Sequence, residues 1–314
     1  MNKPLIVNSW PHLHTKESVK RIMWLVTLSL VPTGFMGVRI FGWNSLWVIA
    51  ISVSAALATE LIFQLLTRRK ITLGDGSAFL TGLLLAYNLP PEIPFWIPLV
   101  GSFFAIAIGK QVFGGLGQNI FNPALVGRAF LVASWPKYMT NFTRPFNYDA
   151  VTQATPLALL KEGSLEPHLS YLDLFLGYRG GCIGEVCIWA LLLGAAFLLI
   201  KGYISWHTPF TYIGSVAVFT YAFGGKTGLF TGDWIFHLLT GGLILGAFFM
   251  ATDYVTSPLT AKGQIIFGIG CGILTSVIRI WGGYPEGVSY SILMMNAAAP
   301  FIDRYTKNRI YGSK

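Results

Sequence analysis

Residues 109–124 read Gly-Lys-Gln-Val-Phe-Gly-Gly-Leu-Gly-Gln-Asn-Ile-Phe-Asn-Pro-Ala and concentrate amides and glycines in an otherwise apolar chain. Gly114, Gly115 and Gly117 allow a backbone to approach another group closely. Asn119 and Asn122, three apart at a helix start, can aim two amides the same way and hydrogen-bond a planar, amide-like ring. The same residues also suit plain capping, with Asn122 as N-cap and Pro123 in the first turn; the two uses are compatible. Arg128 follows in the same apolar run. A charge at that depth costs about 3 kcal/mol on insertion scales, so it must face protein, an anionic group or the interface. Glu60, Asp75 and Asp253 raise the same question, and Asp253 precedes Tyr254-Val255-Thr256-Ser257-Pro258. Carboxylates beside unwound carbonyls can ligate a sodium ion or relay protons. They can equally pair with Arg68, Arg69 and Lys70, or cap helices. The string Asp-Ala-Val-Thr-Gln-Ala-Thr-Pro-Leu at 149–157 is, taken alone, ordinary turn chemistry.

Composition dictates what positions these groups. Of 314 residues, 54% are hydrophobic and only 11% charged, far below the roughly 25% charged of a soluble domain. The chain is therefore expected to be an all-α polytopic membrane protein. The net charge of +9 does not indicate nucleic acid, because the basic residues sit between apolar runs rather than on one hydrophilic face. Three cysteines, Cys182, Cys187 and Cys271, are too few for a disulfide framework, and their spacing supplies no metal site. The polar stretch before the first apolar run is too long for a typical cleaved signal peptide, so that run is expected to be a permanent span.

Ten candidate spans follow from hydropathy, near 22–40, 46–66, 77–89, 94–109, 121–135, 185–204, 208–223, 234–252, 264–280 and 290–302. With the N-terminus inside, the inner segments hold Lys3, Lys16, Lys20, Arg21, Arg68, Arg69, Lys70, Lys110, Lys201, Lys262, Arg304, Lys307, Arg309 and Lys314, fourteen in all. The outer segments hold Arg39, Lys137, Arg144, Lys161, Arg179, Lys226 and Arg279, which is seven. This asymmetry places both termini in the cytoplasm and the 136–184 loop outside. The chain then divides into a first five-helix half (1–135), that outer loop, and a second five-helix half (185–314). Leu80-Thr81-Gly82 matches Leu239-Thr240-Gly241, and Asn122-Pro123-Ala124 has a loose counterpart in Asn296-Ala297-Ala298-Ala299-Pro300. Five spans per half require an inverted repeat, which places sites near the midplane between short or broken helices.

The segment 75–133, the 149–157 string, Ala-Thr-Asp-Tyr-Val-Thr-Ser-Pro at 251–258 and Gly-Tyr-Pro-Glu-Gly-Val-Ser-Tyr-Ser at 283–291 together resemble the RnfD family, the D-type membrane component of the bacterial Rnf complex. That family is related to the B-type membrane component of the sodium-pumping NADH:quinone oxidoreductase. The resemblance implies an electron-carrying subunit of a ferredoxin:NAD⁺ oxidoreductase that moves Na⁺ or H⁺ across the bacterial inner membrane. It also implies FMN joined by a phosphoester to the last threonine of an Asp-x-x-Ser/Thr-Gly-Ala-Thr motif. Here the motif falls on Asp149, Thr152, Gln153, Ala154 and Thr155, making Thr155 the acceptor, with Gln153 where glycine is usual. A separate flavin transferase working outside the cytoplasm would load it, which needs only an exposed hydroxyl on the outer loop. The family's second flavin, non-covalent riboflavin, maps onto Asn119 and Asn122 of the Asn-x-x-Asn-Pro element, with Arg128 in the flavin environment. Glu60, Asp75 and Asp253 are the candidates for ion coupling.

The resemblance further implies partners: the second FMN-bearing subunit, iron-sulfur membrane subunits and the surrounding lipid. The chain has no pyridine-nucleotide fingerprint, so NADH oxidation by the isolated subunit is not expected. A small-solute transporter would use the same spans and broken helices, and a passive assembly scaffold is a third reading. The attachment segment at 149–157 discriminates against the transporter, which has no use for it. Bound yellow cofactor would argue against the scaffold.

Overall fold

The computed structural model describes residues 17–143, 145–146, 152–162, 170–225 and 228–307. The first helices are α1 (Val19–Phe41), α2 (Trp43–Leu66), α3 (Ser77–Tyr87), α4 (Trp96–Ile106) and α5 (Pro123–Ser134). The segment between them and the later helices carries α6 (Pro136–Met139), a two-stranded antiparallel pair of β1 (Phe142–Thr143) with β2 (Thr152–Gln153), α7 (Pro156–Glu162) and α8 (Tyr171–Leu176). There follow α9 (Ile188–Ile200), α10 (His207–Phe223), α11 (Trp234–Leu239), α12 (Leu243–Leu245), α13 (Ala261–Trp281) and α14 (Val288–Tyr305). Apart from that short strand pair, the elements of the described chain are helical, consistent with an all-α membrane protein.

Among the described residues α1, α2 and α13 are long and apolar enough to cross a membrane by length and composition; α3, α4, α5 and α9 are apolar but shorter. The short helices survive because others wrap them. Leu83, Leu84, Leu85 and Ala86 of α3 are all buried, while α1 turns Leu28, Val31 and Phe35 outward, a spacing of three and four along one helix face. Gly82 makes the α2–α3 approach possible: a Cβ there would lie 2.8 Å from the Cα of Val53. Ser52 on α2 donates to the Gly82 carbonyl (2.8 Å) and contacts Ser102 on α4 (2.9 Å), so polar groups inside this half satisfy one another.

Three local irregularities shape the interior. α4 widens after Ile106 into a π-turn over Ala107–Gln111, and α12 does so over Gly246–Met250. Between α11 and α12 the chain breaks at Gly241 and Gly242, both at positive φ (70° and 66°), a conformation that glycine adopts without Cβ strain. Such interruptions are tolerated at membrane depth only where protein surrounds them.

Candidate functional site

One end of the bundle, named inner only after the side that charge counting leads one to expect, gathers Asn119, Asn122, Glu60, Asp75 and Asp253; the other is named outer on the same ground. Asn122 caps α5: its Oδ1 accepts from the backbone N–H groups of Ala124 (3.1 Å) and Leu125 (3.4 Å). Its Nδ2 donates to the Met250 carbonyl (3.3 Å), at the end of the second π-turn, and its backbone N–H donates to Asn296 Oδ1 (3.2 Å). Asn296 in turn donates to the Thr256 carbonyl (3.0 Å). The capping role of Asn122 is thus realised, and it ties α5 to the second π-turn and to α14. Asn119, just before the helix, donates to the Phe121 carbonyl (3.2 Å), while its buried Oδ1 has no partner.

Asn119 and Asn122 line the same cleft, together with Ser77, Lys110, Phe248, Phe249 and Asp253. The cleft is narrow, about 80 Å³, so a three-ring ligand requires its walls to part. Its chemistry is compatible with such a ligand: an unpartnered amide oxygen can accept from a ring N–H, and a second amide and aromatic rings line the same cleft. Asp253 closes the next turn of the chain, accepting from Thr256 Oγ1 (3.1 Å) at its carboxylate and from Ser257 at its carbonyl. It is placed in the cleft by that turn.

Glu60 does not pair with the Arg68–Lys70 cluster. Its two oxygens accept from Lys110 Nζ at 2.8 and 2.9 Å, and Oε1 also accepts from Gln64 (3.1 Å) and Gln111 (3.0 Å). Lys110, which charge counting places among the inner-loop cations, is buried to about 1% exposure. The π-turn carries it there. Lys110 also contacts Ser77 Oγ (2.6 Å), whose hydroxyl donates to Asp75 Oδ1 (2.6 Å). Glu60 and Asp75, fifteen positions apart in the chain, therefore belong to one network through Lys110, which charge counting did not single out.

The opposite end holds a second cavity of about 510 Å³, lined by Arg128, Ala154, Thr155, Lys161, Glu286 and Tyr290 among others. Thr155 precedes α7; its Oγ1 accepts from the Ala158 N–H (3.3 Å). It is buried, 6% exposed, contrary to the expectation of a hydroxyl displayed on the loop surface. What it faces is the cavity. Ala154 is half-buried beside it, Thr152 contributes backbone to β2 opposite Thr143, and Asp149 lies outside the described residues. Lys161, on α7, holds that helix down by donating to the carbonyls of Ile278 (3.3 Å), Gly282 and Tyr284 (3.0 Å). Partial burial lowers the pKa of its ammonium.

Arg128 forms the floor of this outer cavity and so belongs with Thr155 rather than with the asparagines. It pairs with Glu286 and donates to Asn88 Oδ1 (2.5 Å). Behind it Arg279 donates to the Glu286 carbonyl (3.0 Å) and to those of His237 (2.5 Å) and Thr240 (2.9 Å), bridging the α11–α12 break. Arg179 donates to the Glu185 carbonyl (2.9 Å), and Glu185 accepts from the Cys182 N–H (3.0 Å). Cys182, Glu185 and Glu286 bring ligand-type atoms within 4.8 Å of one another. The Arg128 guanidinium, paired with Glu286 and 3.9 Å from the Cys182 sulfur, already serves as their cation. The cavity lining itself balances Arg128 and Lys161 against Glu162 and Glu286, and behind it Arg179 and Arg279 face the carboxylate of Glu185.

A family model described as the NQR2, RnfD, RnfE family matches residues 6–312. The chain belongs to that family. Among its relatives, the D subunit of the Na⁺-translocating ferredoxin:NAD⁺ oxidoreductase complex of Acetobacterium woodii is 53% identical, with 98% of this chain and 95% of the relative covered. The D subunit of the proton-translocating complex of Clostridium ljungdahlii is 51% identical, with 98% and 96% covered. The D subunit of the ion-translocating oxidoreductase complex of Stutzerimonas stutzeri is 40% identical over 95% of this chain and 93% of the relative. These relatives of the NQR2, RnfD, RnfE family are named as subunits of oxidoreductase complexes. The first two differ in the ion that their names give yet lie almost equally close, so overall similarity does not choose between Na⁺ and H⁺.

Proposed function

We propose that this chain is the D-type membrane subunit of an ion-translocating ferredoxin:NAD⁺ oxidoreductase complex and carries electrons between two flavins. FMN joined through phosphate to Thr155 occupies the outer cavity, and riboflavin occupies the inner cleft at Asn119 and Asn122. The observation that carries this reading is the pair of cavities at the two ends of α5. Asn122 opens that helix at the cleft and Arg128 lies six residues on at the outer cavity, about 9 Å at the rise of an α-helix. The flavins supply the one- and two-electron chemistry. The protein contributes placement and field. Lys161 and Arg128 favour a phosphate-bearing group near Thr155; the free Oδ1 of Asn119 favours a ring N–H.

The same reading includes ten membrane-crossing or re-entrant segments in an inverted five-plus-five repeat, both termini in the cytoplasm and the Thr155 loop outside. Support comes from packing that recurs: α2 with α4 and α4 with α5 in the first half, α10 with α13 and α13 with α14 in the second. Hydroxyl clusters mark equivalent contacts. Ser52 and Ser102 meet between α2 and α4, while Tyr212, Thr275 and Ser291 meet between α10, α13 and α14 at 2.7 to 3.0 Å. Partners are the remaining subunits of the complex, including the second FMN-bearing one and the iron-sulfur subunits, together with the flavin transferase.

Intact-mass analysis of the protein from cells that contain the transferase tests the assignment. Added mass equal to FMN less water in the wild type, absent in Thr155→Val, is the expected result. A wild-type chain without that mass would overturn the covalent assignment and favour a flavin-free transporter.

A further inference from the structure

Lys110 is placed as no ordinary buried ion pair requires. Its ammonium sits among three oxygens, Glu60 Oε1 and Oε2 and Ser77 Oγ, at 2.6 to 2.9 Å, while the same side chain lines the cleft beside Asn119 and Asn122. A carboxylate and a hydroxyl converging on one point are the ligands a hard cation takes. The surroundings also hold that cage in shape without the ammonium. Gln64 and Gln111 both donate to Glu60 Oε1, Gln64 Oε1 accepts from the Thr72 N–H (3.0 Å), and Asp75 Oδ1 accepts from the hydroxyl and backbone N–H of Ser77 (2.6 and 2.8 Å). A lysine brings its charge on a flexible four-carbon stem. It can therefore turn from the cage toward the cleft while the cage stays fixed.

We propose that Lys110 is a tethered cation that keeps the place of the translocated monovalent cation at Glu60 and surrenders it when negative charge arrives in the adjacent cleft. The inference rests on the flavin and ion-translocating reading given under the proposed function and names the residue that links its two halves. Charge balances at each step. A flavin held in the cleft would supply the electron chemistry; each negative charge it gained would draw the ammonium toward it, and one cation from the inner side would enter between Glu60 and Ser77. Loss of that charge would return the ammonium to the cage and release the cation toward the outer side. With Na⁺ no covalent bond changes. With H⁺ one O–H bond forms on Glu60 and later breaks. Either way one cation moves per electron, and leaving Glu60 unpaired in between is avoided because an unpaired buried charge is strongly unfavourable.

The first test needs no electron flow. In the whole complex, purified in detergent and left oxidised, Lys110→Gln should expose a site that binds ²²Na⁺, absent from the wild type and lost again in Glu60→Gln/Lys110→Gln. If the cation is H⁺, the same single variant should instead show a protonated carboxyl band in the infrared at neutral pH that the double variant lacks. Neither signal in a Lys110→Gln complex of normal flavin content would overturn the proposal. So would return of electron-driven ion uptake in the double variant, since a purely structural pair is replaceable by two amides and a switch is not. Should Lys110→Gln fail to assemble, Lys110→Arg retains the charge on a planar head that fits the cage differently: loss of ion uptake into vesicles with electron transfer kept supports the switch, and unchanged uptake refutes it. A wild-type complex without non-covalent flavin would sink the parent reading alone, because the Na⁺ and infrared signals still report on the cage.

Discussion

The two ends of the molecule bury charge in opposite senses. At the outer end Arg128, Arg179 and Arg279 outnumber Glu185 and Glu286, and Arg279 spends its donors on backbone carbonyls rather than carboxylates. At the inner end buried Glu60 is matched by buried Lys110, half-buried Asp75 adds the excess negative charge, and the carboxylate of Glu60 is saturated by side chains. Under the proposed function, the Thr155 cavity would hold an anionic group that stays, and the Glu60 network a small cation that comes and goes. Excess charge of either sign at membrane depth is costly, so each excess marks a place where something else completes the balance.

The comparison can be broken most forcefully at Arg128. Replacing it with Leu leaves Glu286 without its partner at the cavity floor, and loss of one member of such a pair costs about 3–5 kcal/mol. A marked fall in thermal stability of the purified complex is expected, with much of it regained in Arg128→Leu/Glu286→Leu; no fall would show that the outer excess is not structurally coupled. A smaller effect separates the two asparagines of the inner cleft. Asn122→Ala removes an N-cap worth about 1 kcal/mol and lowers both stability and riboflavin content. Asn119→Leu, whose Oδ1 has no partner and whose Nδ2 bonds only the nearby Phe121 carbonyl, should lower the melting temperature less than Asn122→Ala does while lowering riboflavin content. Equal behaviour of both variants in the two assays would reject this division of labour. The slightest expected change is Lys161→Met, which loses a charge at the C-terminal carbonyls of α13, worth about 0.3–1 kcal/mol. Limited proteolysis should then cut the α7 segment faster, while the inner cleft keeps its flavin.

Much of the scaffold was legible because apolar runs and glycine breaks are local signals. All ten apolar stretches coincide with helices or helical runs, and Asn122 before Pro123 gave away the start of α5. The site partners were harder to see because they are assembled by packing. Arg128 and Glu286 lie 158 positions apart, and nothing in the sequence near either one names the other. Lys110 was hidden for a different reason. A charge-counting rule assigns every lysine beyond an apolar run to the loop, whereas a widened turn extends that run and draws Lys110 and Gln111 inward together. Thr155 was singled out by motif but its environment was not, since the cavity it lines is also walled by α5 and by the 283–290 segment.

The widened turn over Ala107–Gln111 also makes the length of the chain matter as much as its composition. Adjacent residues on a regular α-helix point about 100° apart, yet Lys110 and Gln111 both reach the same carboxylate. Deleting a single residue there, even a featureless one such as Ile108, would restore the regular winding and rotate the downstream chain by about one residue's step. An inventory of side chains would be nearly unchanged, but the ammonium would no longer be aimed at Glu60.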